Sequence, residues 1–328
     1  KEKDSVKKEQ IVESESVVKN ENMEDEKTIT IDKKKVKLTN LNKLYWPKEK
    51  ITKGELLDYY GKVSDYMLPY LKDKPLSLNR HPNGIEKPGF YQKDVDTDQI
   101  PSWAKTAPIH SESNNKQIDY LVCNDKATLL FMANLGCIEI NPWLSSYRKP
   151  ENPDFLVIDL DPDNNDFKEV VEVAFGVKEV FDELHIKSFV KTSGSTGIHI
   201  FVYVARRYDY DFTKDFAQFI AQKTHEKFPD ITSLERSPSK RKGLIYMDFL
   251  QNRRGQTIAA PYSARPKPGA SVSFPLEWGD LAPTVKIKDY DIYNVPDLLK
   301  KYGTPWEGIF DEAQNLKQAL AAYRKENE

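Results

Sequence analysis

Phe155-Leu156-Val157-Ile158-Asp159-Leu160-Asp161-Pro162 is the stretch from which the rest of the chain can be read. An apolar run that abruptly presents two carboxylates predicts a buried strand whose last residues reach a functional edge. Side chains alternate along a strand, so Asp159 and Asp161 share one face, about 7 Å apart by Cα spacing. Two such carboxylates can hold one hard divalent cation or clamp a pair, and magnesium and manganese suit these oxygen ligands, usually with substrate phosphates completing the shell. Asp-Pro at a strand end is also ordinary turn chemistry. A calcium loop beginning at Asp159, Asp161 and Asp163 fails on position, because its sixth residue is Asn164 rather than Gly and its twelfth is Val170 rather than Glu.

Downstream, Thr192-Ser193-Gly194-Ser195-Thr196-Gly197 leads into Ile198-His199-Ile200-Phe201-Val202-Tyr203-Val204. Two glycines and four hydroxyls can fold so that backbone N–H groups converge on an anion, for which a triphosphate is a natural guest. The loop is not a P-loop, since the Gly-Lys-Ser/Thr ending and the following helix are missing. His199 falls on the strand face opposite Ile198, Ile200 and Val202, where it can donate to a phosphate. A third carboxylate, Asp248, sits in the apolar run Leu244 to Leu250, where a lone buried charge costs several kcal/mol. A shared metal resolves that cost; so do backbone donors. Lys240, Arg241, Lys242, Arg253, Arg254, Arg265 and Lys267 surround this run, as a solvated face or as phosphate clamps.

Outward from this centre the chain reads as mixed α/β. Thr52-Lys53-Gly54-Glu55 has capping-box spacing ahead of a helix through Leu71; Pro75–Arg80 and Gly89–Lys93 read as strands around a turn at residues 81–84. After a loop region come an apolar helix from Asp125 to Leu135 and a strand at Cys137–Trp143. Asp166, with Glu169, caps a helix through Leu184; further helices are expected near 213–228, 295–302 and 311–325, with a basic loop over Arg236–Lys242. The 328 residues carry a net charge of −2, with six Lys against ten acidic residues in the first 32. Residues 1–34 therefore read as a disordered, Lys/Glu-rich interdomain linker, and 35–328 as one domain. Lys1 in first position sets the expectation of a piece cut from a longer polypeptide. Two cysteines without metal spacing fit a reducing cytosol and argue against zinc; no apolar run reaches the length of a membrane span.

Asp-x-Asp, then Ser-Gly-x-x-Gly-x-His, then a lone Asp in an apolar strand resembles the three-motif pattern of the archaeo-eukaryotic primase superfamily. More closely, the chain resembles the polymerase domain of bacterial ligase D, the multifunctional enzyme of non-homologous end joining. The likeness covers about residues 36–310, including Leu-Tyr-Trp-Pro (44–47), Lys-Pro-Leu-Ser-Leu-Asn-Arg (74–80), Gly-Phe-Tyr-Gln-Lys (89–93) and Ala-Pro-Tyr-Ser-Ala-Arg (260–265). It implies a primase-like polymerase fold, mixed sheets flanked by helices, with Asp159, Asp161 and Asp248 binding two divalent ions, manganese preferred over magnesium. It further implies that Ser193, Thr196 and His199 hold the triphosphate of the incoming NTP or dNTP, with Arg241, Gln251 and Arg265 as nucleotide contacts and Arg80 as a basic residue near the active site. Asn40, Lys43 and Lys53 match a pocket for the 5′-phosphate of a gap or break, and Phe90 an aromatic that stacks on the template. Three positions depart from the family pattern: Asn141 precedes Pro-Trp where His is common, Thr196 stands where Lys is frequent, and Asp94 follows Gln-Lys where His is common. Asn and Thr still donate neutral hydrogen bonds, so altered affinity rather than inactivity is expected.

The implied activity is nucleotide addition to DNA 3′ ends, ribonucleotides preferred, at ends or gaps bearing a 5′-phosphate. An upstream ligase domain and a Ku-like end-binding protein are the implied partners, in the bacterial cytoplasm at the nucleoid, with no membrane role. A stand-alone primase, a noncatalytic DNA-end-binding module and a metal phosphoesterase are the competing readings.

Overall fold

The computed structural model describes residues 24–111 and 115–327. Most of the expected linker lies outside the described residues, but its last part is ordered. Lys27–Ile31 (β1) and Lys34–Leu38 (β2) pair antiparallel, so among the described residues regular structure is already present at Lys27, ahead of Lys35. Asp32 and Lys33 both take positive φ, the signature of a two-residue hairpin turn. The abundance of lysine hides an alternation in which Val36 and Leu38 are buried and Ile29 and Ile31 pack against the core.

Leu44–Trp46 (β3) and Ile51–Thr52 (β4) form a short ribbon before the helix Lys53–Leu71 (α1). Both hydrogen bonds of the capping box between Thr52 and Glu55 are present, and Leu56, Tyr60, Val63 and Met67 are fully buried, as their spacing predicts. Leu76–Arg80 (β5), Phe90–Gln92 (β6), Lys105–Ser111 (β7), Lys116–Val122 (β8), Lys126–Asn134 (α2) and Cys137–Pro142 (β9) follow. Here β6, β5 and β9 make a three-stranded sheet, and β7 pairs with β8 as a separate ribbon where the sequence reading has only a loop.

After Ser145–Ser146 (β10) and Lys149–Pro153 (β11), the strand Phe155–Asp161 (β12) opens the central sheet. Its other parts are Phe167–Glu183 (α3), Phe189–Thr192 (β13), Ile198–Tyr203 (β14), Tyr210–Lys227 (α4), Thr232–Ser233 (β15), Pro238–Arg241 (α5), Ile245–Asp248 (β16) and Pro275–Leu276 (β17). The six strands run β15-β16-β12-β14-β13-β17, antiparallel except for β15 with β16. Three local expectations shift: Asp166 starts α3 without a side-chain cap, the basic loop holds the short helix α5, and the predicted strand through Leu250 turns into a 3-10 turn after Asp248. Val295–Tyr302 (α6) and Leu316–Asn327 (α7) close the chain.

Phe155, Leu156, Val157, Ile158 and Leu160 are all at most 3% exposed. Burying each contributes about 2 kcal/mol. A one-residue slip of β12 would turn Ile158 and Leu160 into the cleft and drive the two carboxylates to the opposite face, so register is strongly specified.

Candidate active site

Strand register builds the centre of the site. Asp159 is paired with His199 on one side and with Asp248 on the other, and Asp161 lies opposite Tyr246. Residues directly opposite on neighbouring strands point to the same face, so three distant sequence motifs arrive side by side. His199 Nε2 lies 3.4 Å from Asp159 Oδ1. Asp248 Oδ1 accepts from Tyr246 Oη at 3.1 Å and from the Leu250 amide at 2.9 Å, and Gln251 Nε2 reaches Asp159 Oδ2 at 3.4 Å.

The Ser/Gly loop between β13 and β14 closes over this face. Ser193 Oγ accepts from the amides of Ser195 and Gly197, at 3.1 and 3.0 Å, so its hydroxyl shapes the loop from inside. Gly194 has φ +72°, and a Cβ on Gly197 would stand 2.1 Å from the Leu160 carbonyl oxygen; both glycines are required by close approach. Arg265 donates through Nε to Glu139 Oε2 at 2.9 Å and through Nη1 to the Ser193 carbonyl. The cleft so formed is about 230 Å³, and Asp159, Asp161, Thr196, His199, Gln251 and Arg265 line it together with Tyr91, Glu139 and Asn141. Arg241 approaches from outside that lining: its Nη1 pairs with Asp161 Oδ2 at 3.1 Å while two backbone carbonyls and the Tyr246 ring hold it.

Electrostatics mark the same spot. Burial, then the charges of Asp248 and Asp161, push the Asp159 carboxyl up to about 7. Burial likewise raises Asp248, against the hydrogen bonds from Tyr246 and Leu250. His199 is held well below the usual imidazole range by burial and by Lys191 and Arg265, so its ring is neutral. Mutually raised carboxylates are the donor chemistry a hard divalent ion relieves. Among the described residues no three His, Cys, Asp or Glu side chains converge closely enough to enclose an ion as they stand, and Asp161 is turned onto Arg241. The chemistry of the donor set, three carboxylates gathered by adjacent strands, suits a hard divalent cation.

The family model for the LigD primase-polymerase domain matches residues 52–306, well over half of the 328 residues. The chain belongs to the LigD primase-polymerase domain family. It is 31% identical over 283 residues to the bifunctional non-homologous end joining protein LigD of Bacillus subtilis, covering 86% of this chain and 45% of that protein. It is 30% identical over 288 residues to the multifunctional LigD of Pseudomonas aeruginosa, covering 87% and 34%. The chain thus spans less than half the length of these relatives. Its fold matches the polymerase domain of Mycobacterium tuberculosis ligase D, solved in complex with DNA, with a TM-score of 0.77 at 24% identity over 84% of this chain and 98% of that one. The primase-polymerase fold expected from the motifs is the fold observed.

Away from the cleft of this LigD-family domain, a second basic cluster forms at the start of α1. Lys53 Nζ donates to the Thr39 carbonyl at 2.6 Å, its amide to the Lys43 carbonyl at 2.8 Å, and the Lys43 amide to the Asn40 carbonyl at 3.1 Å. Asn40, Lys43 and Lys53 are therefore gathered in one place. Burial and the Lys43 charge lower the Lys53 ammonium to about 8. Arg80 and Phe90 are register partners with the guanidinium 5.2 Å from the ring centroid, and Arg80 is tied to Leu135 and Gln92. Neither lines the cleft; Tyr91, on the opposite face, does.

Of the three departures, Asn141 is buried in the cleft wall with its Nδ2 unpartnered, and Thr196 is exposed at the rim. Asp94 is instead a brace, accepting from Lys116 at 2.9 Å and from the Asp119 amide at 3.0 Å. The sequence reading passed over Glu139 and Lys191. Both are charged residues inside apolar strands, the signal that had singled out Asp248.

Proposed function

We propose that this domain transfers nucleotides from nucleoside triphosphates to DNA 3′ ends, at breaks and gaps carrying a 5′-phosphate, with ribonucleotides preferred. The observation that carries the reading is the side-by-side placement of His199, Asp159 and Asp248 in one register beneath the Ser/Gly loop. Asp159, Asp161 and Asp248 would hold two manganese or magnesium ions. When bound, such ions lower the pKa of the attacking hydroxyl and neutralise the pyrophosphate leaving group. The chain's own part is positioning. Loop amides, His199 and Arg265 orient the triphosphate, Gln251 steadies Asp159, and Arg241 neutralises Asp161 until the substrate arrives. Asn40, Lys43 and Lys53 take the 5′-phosphate, and Phe90 stacks on the template. In this reading the domain works beside a ligase domain of the same polypeptide and a Ku-like end-binding protein, at the bacterial nucleoid. Among the described residues no helix is long and apolar enough to cross a membrane.

Primer extension on a gapped duplex with a 5′-phosphate, with manganese and either ribo- or deoxyribonucleotides, tests this. The parent extends and Asp161→Ala does not. The separate basic cluster at α1 supports a second reading, a noncatalytic end-binding module; a parent that binds the phosphorylated gap without extending it, equally well as Asp161→Ala, establishes that reading instead.

A further inference from the structure

Beneath the loop, Lys191 is 0% exposed and stands opposite His199 in the pairing of β13 with β14. Its Nζ lies 2.7 Å from His199 Nδ1, bonds Ser273 Oγ, and sits 5.7 Å from the Phe201 ring centroid. The Ser273 hydroxyl proton is committed to the Thr192 carbonyl at 2.9 Å, so Ser273 accepts from the lysine. Burial and then the Arg265 charge lower the Lys191 pKa well below the usual lysine range, but even the neutral amine keeps two N–H donors, and the two polar atoms within reach are a hydroxyl oxygen and a ring nitrogen. At the far side of the imidazole, Nε2 faces the Asp159 carboxylate at 3.4 Å. An Nε2–H finds a carboxyl oxygen there to accept it.

We propose that Lys191 is a positioning residue that fixes His199 in the Nε2–H tautomer, so that the histidine meets the cleft as a hydrogen-bond donor. Which ring nitrogen carries the proton is set by the hydrogen bond the other makes. In the empty cleft the Nε2 proton points to Asp159; with substrate bound it serves an oxygen of the incoming triphosphate, a consequence that rests on the polymerase reading above. Lys191 touches neither substrate nor the reacting atoms, and acts through the ring alone.

The tautomer itself is independent of activity and is read by long-range proton–nitrogen NMR on histidine-labelled, nucleotide-free protein, with His199→Gln assigning the resonance. The parent shows a bare Nδ1 and a protonated Nε2; a protonated Nδ1 overturns the assignment without any variant having to fold. Lys191→Met shifts the ring toward the other tautomer, and Lys191→Arg, which keeps donors, restores it. In primer extension, Lys191→Met raises the nucleotide KM about tenfold, the worth of one hydrogen bond to a charged group, with kcat less affected. An unchanged tautomer in Lys191→Met, or a changed tautomer with an unmoved KM, overturns the positioning role. A parent with the expected tautomer but no extension activity counts against the polymerase reading alone.

Discussion

In the proposed 5′-phosphate role, Lys53 carries the pH dependence of binding. Its side chain is nearly fully buried at the start of α1, where desolvation and the neighbouring Lys43 bring its pKa from 10.5 to about 8. The folded lysine therefore loses its proton near pH 8, whereas the unfolded chain holds it to about 10.5. Across that window the unfolded state binds more protons, so this group's contribution to stability rises with pH. Binding behaves oppositely, because the ammonium that attracts a 5′-phosphate is lost. Affinity for a phosphorylated gap should fall about tenfold between pH 7 and 9, the linkage expected for one proton with a pKa near 8. Lys53→Arg should flatten the profile, since a guanidinium stays charged. A steep fall that persists in Lys53→Arg would show that another group titrates. Asn141 allows a second test at this scale. An unpaired buried donor costs about 1–3 kcal/mol, so Asn141→Ala should leave the thermal midpoint unchanged or raised. If Nδ2 is aimed at substrate, the same variant raises the nucleotide KM, whereas a drop in midpoint with normal KM makes Asn141 a scaffold residue.

At the level of elements, the end of β12 and the Ser/Gly loop are packed backbone to backbone at Gly197. A methyl group 2.1 Å from the Leu160 carbonyl has nowhere to go without moving the strand that carries Asp159 and Asp161. Gly197→Ala should therefore cost about 2–4 kcal/mol in denaturant unfolding and abolish nucleotide binding together; full affinity in a stable variant refutes this contact. The same elements show what a sequence can and cannot say. β12, β14 and β16 were legible because each joins a dense apolar run to one or two polar residues of the wrong kind for a core. Their side-by-side register was not, since pairing depends on contacts between residues far apart in the chain. The β7–β8 ribbon escaped because Pro108 interrupts its alternation and three of its buried residues, Ile109, Ile118 and Tyr120, form a small cluster with Trp143 apart from the main core. β1 and β2 escaped because lysine-rich composition outweighed a short period of two. Asp94 stands out in the sequence only as a departure from the family pattern, and its contacts make it a brace between the β6 edge and β8.

For the whole molecule, one hydrophobic core joins the two sheets. A single cluster of buried side chains extends from Val36 to Leu316 and includes α1, β9, β12 and α4. Polar ties cross the same ground: Tyr59 Oη to the Tyr262 carbonyl at 2.7 Å, Trp46 Nε1 to the Lys267 carbonyl at 2.8 Å, and Trp306 Nε1 to the Val190 carbonyl at 2.8 Å. The Trp46 tie matters for the site, because it joins the ribbon before α1 to the loop that begins at Arg265. Among the described residues no seam separates the half carrying the Asn40, Lys43 and Lys53 cluster from the half carrying the carboxylates, so neither half keeps its core alone. Unfolding should accordingly be one cooperative transition. The five tryptophans lie at residues 46, 103, 143, 278 and 306, spread over both halves. Their fluorescence and the far-ultraviolet circular dichroism should trace superimposable curves in urea. The fragment 24–153, expressed by itself, should show no dispersed amide spectrum. Two resolved transitions, or a folded fragment, would mean that the halves are separable domains and that the phosphate cluster and the cleft are coupled only through DNA. Coincident curves mean that every substitution in the 5′-phosphate cluster must be scored against global stability before any loss of end binding is credited to the site.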